Sequence, residues 1–137
     1  MPRCLALFSP WTDLAVTGAS IDSNEASDAI FRAEYIRNGA RRVLNDAAPT
    51  APLASPLYAD VEGFPPTLIY ASDEEILLDD SLRMHERLIN AGVSSTLVRQ
   101  KGLPHAWPIF VATIPEARVT IAEVADFFGE QIKEDAA

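Results

Sequence analysis

The chain has 137 residues, 48% of them hydrophobic and 23% charged, the length and mix of one globular domain with a single packed core. Its 11 basic residues against 20 acidic ones leave a formal charge of −9, which makes nucleic acid and anionic membrane surfaces poor partners on charge alone. One cysteine, Cys4, excludes an internal disulfide and any cysteine-based zinc site, no run approaches the length of a membrane span, and the N-terminus lacks the charged, apolar, small-residue order of a secretory signal, so a cytoplasmic protein is expected.

The first predicted element is residues 3–9, an almost unbroken apolar run ended by Pro10, the pattern of a strand buried on both faces of a parallel sheet. Residues 26–45 have helical character through Ile30, Ala33, Tyr35, Ile36, Val43 and Leu44, with a break expected at Asn38-Gly39. Residues 47–56 hold three prolines and read as an ordered loop. A second strand is predicted at residues 66–71, after the turn Gly63-Phe64-Pro65-Pro66. A helix follows at residues 78–91, where Leu78, Leu82, His85, Leu88 and Ile89 recur at helical spacing and Gly92 stands as the residue after the C-cap. The third strand is residues 95–100, with β-branched Thr96 and Val98. A last helix follows Pro115, with an apolar stripe of Ile121, Val124, Phe128 and Ile132, before an acidic end at Glu134-Asp135.

Strand, helix, strand units are parallel and right-handed in nearly all cases, so the loops after the second and third strands emerge on one edge of the sheet. The expected class is α/β, with about three parallel strands flanked by helices. Three strands make a small sheet, and a run as apolar as residues 4–8 calls for a neighbour on each side. A bare first-strand edge is therefore expected, one that self-associates or pairs with a partner chain.

Two histidines are present. His85 falls within the predicted helix and reads as structural or surface-lying. His105 lies in Gly102-Leu103-Pro104-His105-Ala106-Trp107, just past the third strand, at the carboxyl edge where α/β sheets hold ligands. The second strand runs into Ser72-Asp73-Glu74-Glu75-Ile76-Leu77-Leu78-Asp79-Asp80, with five carboxylates in eight residues. Acids favour a helix N-terminus, but five exceed that need. An acid beside a histidine holds the imidazole tautomer and stabilises imidazolium, so this loop and His105 form a candidate acid–histidine pair.

At these residues the sequence resembles the bacterial hormone-sensitive-lipase-like esterases, the α/β-hydrolase fold-3 family. The resemblance rests on Ser9-Pro10-Trp11-Thr12-Asp13-Leu14, Ala54-Ser55-Pro56-Leu57-Tyr58-Ala59-Asp60, Glu75-Ile76-Leu77-Leu78-Asp79-Asp80 and Gly102-Leu103-Pro104-His105-Ala106-Trp107-Pro108-Ile109-Phe110, which follow one another in the family's order. It implies the C-terminal half of an α/β-hydrolase fold, with residues 1–137 a partial domain lacking the N-terminal strands, the oxyanion loop and the nucleophile elbow. In the family the triad acid opens an acid-x-Leu-x-Asp motif about thirty residues before the histidine. Glu75 through Asp79 fits that form, so the resemblance implies Glu75 and His105 as the catalytic acid and base, with Asp73 and Asp79 as alternative acids.

The family's nucleophile sits in a Gly-x-Ser-x-Gly turn. No two of the six glycines bracket a serine at that spacing, and the resemblance places the nucleophile before residue 1. Should a serine within the chain act instead, Ser9, Ser20 and Ser72 come first. Trp11 and Asp13 are expected to be scaffold, the ring packed on the core and the carboxylate capping a turn. Trp107 and Phe110 stand equally as substrate-pocket walls or plain core, and residues 26–45 are a further candidate for the acyl site. No cofactor and no metal are expected, for want of metal-ligand spacing or a phosphate-cradling loop. The implied activity is hydrolysis of short-chain acyl esters or lactones once an N-terminal half completes the site, with the chain inactive alone. The alternative is a non-catalytic interaction module or a gene remnant pairing through its open sheet edge.

Overall fold

The computed structural model describes residues 2–133. In chain order it contains β1 (Leu5–Phe8), α1 (Ser20–Ser23), α2 (Ala33–Leu44), β2 (Thr67–Ser72), α3 (Leu78–Asn90), β3 (Ser95–Gln100) and α4 (Pro115–Lys133), with single 3₁₀ turns at Pro56–Tyr58 and Trp107–Ile109. The strands form one parallel sheet of order β1-β2-β3, with Leu5 opposite Thr67 and Thr67 opposite Ser95. This is the α/β architecture that the apolar runs predict. The described part of α4 ends at Lys133, so Glu134-Asp135 lies outside the described residues.

The central strand is buried at every residue, whereas β1 and β3, each with one neighbour among the described residues, are partly exposed. Alternation along the strands divides the core in two. Ile69, with Leu7 and Leu97, packs on Met84 and Leu88 of α3 and on Val93. Leu68 and Tyr70, with Ala6, Phe8 and Val98, pack on Trp107 and on Ala117 and Val124 of α4. Helices thus cover both faces, which is why the strand sequences are apolar without a polar side.

α3 ends as its sequence predicts. Gly92 takes φ +75°, its N–H bonds to the Ile89 carbonyl at 3.0 Å, and the Val93 N–H reaches the Leu88 carbonyl at 2.9 Å, the paired bonds of a Schellman cap. Val93 and Leu88 share a core cluster, the apolar contact that accompanies this cap. His85 serves the scaffold, its Nδ1 2.9 Å from the Ser95 hydroxyl, tying α3 to β3.

Two expectations need correction. No break occurs at Asn38-Gly39: α2 runs through both, and residues 26–32 are not helical. Gly39 is there for packing, since a Cβ on it would stand 3.3 Å from Cη2 of Trp11. The helix instead starts late because Asp28 accepts the N–H groups of Ile30 and Phe31, and Glu25 accepts that of Ala33, in a capped turn that competes with helix. The buried face of α4 is also rotated from the predicted stripe. Ala117, Thr120 and Val124 face inward, while Ile121, Phe128 and Ile132 are 39%, 37% and 59% exposed. Two polar contacts set that rotation, Trp107 Nε1 to Thr120 Oγ1 at 3.1 Å and the Tyr70 hydroxyl to Glu123 at 2.9 Å. The Glu123 contact and burial together push the Tyr70 phenol well above its usual range, burial being the larger cause. No helix among the described residues is long and apolar enough to cross a membrane.

Candidate active site

The loops after β1, β2 and β3 meet at the carboxyl edge of the sheet, as parallel strands require. The acidic loop after β2 sorts its five carboxylates among five destinations. Asp73 pairs with Arg99 at 2.8 Å on the surface. Glu74 accepts the Gly102 N–H at 2.7 Å. Glu75 turns inward to His105. Asp79 accepts the N–H of Ser20 at 3.0 Å. Asp80, buried, accepts the N–H groups of Thr12 and Asp13, both at 2.7 Å. Of the three acids weighed in the sequence, only Glu75 faces the histidine.

His105 Nδ1 lies 3.2 Å from Glu75 Oε2, the carboxylate wholly buried and the imidazole 16% exposed. The two atoms are close but not aligned for a hydrogen bond: neither Glu75 oxygen nor His105 Nδ1 has a hydrogen-bond partner, although all three atoms are buried. Catalytic contacts in unliganded sites are often loosely aligned and tighten when the reacting groups arrive. Phe31 meets the imidazole edge-on, with centroids 4.8 Å apart and planes at 79°.

The main chain of the acid loop is held by the segment 20–28, which sequence reasoning did not connect to the site. Asn24 Nδ2 donates to the carbonyls of Asp73 and Glu75, both at 3.0 Å, and Ser27 donates to that of Glu74 at 3.0 Å. Ser20 donates to the Ile76 carbonyl at 2.8 Å, and Asp28 accepts the Ile76 N–H at 2.8 Å. Four consecutive carbonyls in a loop otherwise short of backbone partners are thereby satisfied. The serines and asparagine of this stretch were visible in the sequence, but their partners lie some fifty residues away, as in the Asn24–Asp73 and Asn24–Glu75 bonds.

His105 stands in the wall of two cavities. One, of about 380 Å³, is largely apolar, with Phe8, Pro10, Trp11, Phe31, Tyr35 and Leu77 in its wall. The other, of about 330 Å³, is bounded by Ser27, Asp28, Glu74, Glu75 and the 102–105 loop. Of the aromatic pocket candidates, Trp107 is fully buried and stacks edge-on against Tyr70 at 5.9 Å, which makes it core. Phe110 lies on neither cavity wall. Their places are taken by Phe31 and Tyr35, from the stretch 26–45. Ser9, Ser20 and Ser72 are all buried and engaged in hydrogen bonds. Among the described residues no group of three or more His, Cys, Asp or Glu is arranged to hold a metal ion.

Below the site, Trp11 Nε1 donates to the Asp13 carbonyl at 3.1 Å, and Asp13 caps its turn as expected, accepting the N–H groups of Ala15 at 2.9 Å and Thr17 at 3.0 Å. Burial works to raise the Asp13 pKa, but hydrogen bonds from Thr17, Arg83 and Tyr58 outweigh it and hold the carboxyl below its usual range. Burial pushes Asp80 up to about 6 against its two N–H donors, and the neighbouring Asp13 charge adds to the rise.

Comparison with known proteins agrees with this architecture. Residues 1–109 match the model of a family described by its alpha/beta hydrolase fold. An esterase of Acinetobacter venetianus is 38% identical over 128 residues, covering 93% of this chain and 42% of that protein. An acetyl-hydrolase of Streptomyces hygroscopicus is 35% identical over 128 residues, with the same two coverages, 93% and 42%. The crystal structure of an esterase from the bacterial hormone-sensitive lipase family superposes with a TM-score of 0.93 at 37% identity, covering 96% of this chain and 44% of that one. The chain thus spans less than half the length of the relatives it matches. With one fold, one family match over most of its length and relatives of one kind, it belongs to the hormone-sensitive-lipase-like esterase family of α/β-hydrolases.

Proposed function

We propose that this chain supplies the base and the acid of a carboxylic-ester hydrolase of the serine, histidine, acid type, with the nucleophile contributed by a segment outside these 137 residues. The observation that carries the reading is the buried Glu75 carboxylate 3.2 Å from His105 Nδ1, at the wall of an apolar cavity. In this reading Glu75 fixes the Nδ1–H tautomer, His105 Nε2 takes the proton of the attacking serine and returns it to the leaving alcohol, and the buried carboxylate stabilises the imidazolium between those steps. The apolar cavity suits the hydrocarbon part of a short-chain ester or lactone. The outer edge of β1, unpaired among the described residues, is where the strand carrying the serine would lie.

The test is a chimera in which this chain replaces the matching segment of the Acinetobacter venetianus esterase, assayed on a short-chain nitrophenyl ester. Glu75→Gln should lower kcat by roughly ten-thousandfold and His105→Ala by roughly ten-thousandfold to a millionfold, with the chain still folded. A chimera indifferent to His105→Ala defeats the proposal. Turnover by the 137-residue chain alone, abolished by His105→Ala, would place the nucleophile within it.

A further inference from the structure

The loop that carries His105, residues 101–106, has no regular secondary structure, yet it must hold an imidazole against a buried carboxylate. Two serine hydroxyls grip its main chain on either side of the histidine. Ser72, the last residue of β2, donates from Oγ to the Leu103 carbonyl at 2.5 Å. Ser9, the residue after β1, accepts the Ala106 N–H on its Oγ at 2.9 Å. Both serines are buried, at 0% and 3% exposure, so neither bond is readily replaced by water.

The backbone carries a second sign of constraint. Ser9 has φ 49° and Ala106 φ 50°, so both partners in one hydrogen bond hold the left-handed conformation without being glycine. Each costs about 1 kcal/mol or more, and such residues persist only where the surroundings over-determine them. Ser9 and His105 also stand in the wall of the same cavity.

We propose that Ser9 and Ser72 are positioning residues for His105, bracketing it so that the rigid carboxyl ends of β1 and β2 set the imidazole against Glu75. This rests on the assignment of His105 as general base. It gives both serines a role distinct from that of a nucleophile: their oxygens act on the loop's main chain, and their removal loosens the histidine without deleting a reacting group.

The test uses the 137-residue chain with isotope-labelled histidine, alone and as Ser9→Ala and Ser72→Ala. In the unmodified chain the Ala106 amide should exchange at least about a hundredfold more slowly than in a free peptide. Ser9→Ala should speed that exchange by roughly tenfold. Both variants should weaken the cross-peaks between the His105 and Phe31 rings and lower the share of Nδ1–H tautomer, with the signals of α3 and α4 unchanged. An unprotected Ala106 amide in the unmodified chain overturns the proposal, as do variants that leave the tautomer and the cross-peaks intact. Neither ester nor nucleophile enters this experiment, so it judges the bracket even if hydrolysis by the chimera proves independent of His105. Where the chimera is active, each serine variant should lose roughly tenfold to a hundredfold in kcat with KM changed less than about twofold. Total loss would mark a nucleophile, and an unchanged kcat would remove the positioning role.

Discussion

Glu75 and Asp80 enter the interior from the same acidic stretch and end in opposite conditions. Asp80 is 1% exposed and carries two short backbone hydrogen bonds on one oxygen, from Thr12 and Asp13. Glu75 is equally buried and has no hydrogen bond on either oxygen, only the flank of an imidazole 3.2 Å away. A buried carboxylate without donors is costly, and native structures seldom keep one without cause. The contrast separates an acid whose hydrogen bonds the resting fold supplies from one for which it supplies none and whose only polar neighbour is His105 Nδ1. Asp80 fastens the turn after β1 to α3, whereas Glu75 faces only His105.

The largest effect expected of this contrast is on stability at Asp80. Asp80→Ala strands the N–H groups of Thr12 and Asp13 inside the protein and should destabilise it by about 3 kcal/mol, read from denaturant midpoints. A loss no larger than that of an exposed substitution would erase the distinction between the two acids.

A smaller effect follows from pH. The folded pKa of Asp80 is about 6, above the roughly 3.9 of the unfolded chain, so between those values the folded state binds the proton more tightly. Stability contributed by this group is therefore fully present below about pH 4 and is lost as pH rises through about 6, roughly 2 kcal/mol of it between those two values. Asp80→Asn keeps an acceptor oxygen and cannot titrate. Its stability relative to the parent should rise across that window and level off above it, whereas a difference constant from pH 4 to 7 would refute the elevated pKa. The depressed Asp13 acts with the opposite sign and at lower pH, where its contribution is lost as the carboxyl protonates, so it leaves this window clear.

The smallest effect belongs to Glu75. Glu75→Gln keeps the shape while replacing a buried acid that the resting fold leaves without a hydrogen bond, so the thermal midpoint should rise by the equivalent of about 1 kcal/mol even as hydrolysis by the chimera collapses. A clear fall in the midpoint would show that Glu75 is held for the fold and not for His105.

The three strands, α3 with its Schellman cap and the pairing of an acidic loop with His105 were all legible in the residues. These depend on local pattern: unbroken apolar runs, helical spacing before Gly92, and turn residues that place both loops on one sheet edge. The choice among Asp73, Glu75 and Asp79 rested on the family motif, because residues so close in sequence differ in direction and not in propensity. Direction was decided by partners far along the chain, Arg99 for Asp73 and Ser20 for Asp79. Trp107 and Phe31 make the same point: Trp107, two residues from His105, packs edge-on against Tyr70 in the core, whereas Phe31, far away in sequence, meets the imidazole.

Periodicity by itself determined the class of fold, the order of its elements and the edge on which chemistry belongs, because backbone hydrogen bonding and burial act over a few residues at a time. The rotation of α4, the unbroken course of α2 past Gly39 and the grip of Ser9 and Ser72 on the histidine loop were decided only in three dimensions. Each turns on a contact between groups remote in sequence, Thr120 Oγ1 with the Trp107 indole, Gly39 with the Trp11 ring, and Ala106 N–H with Ser9 Oγ, and no local preference encodes a partner that the fold alone brings near.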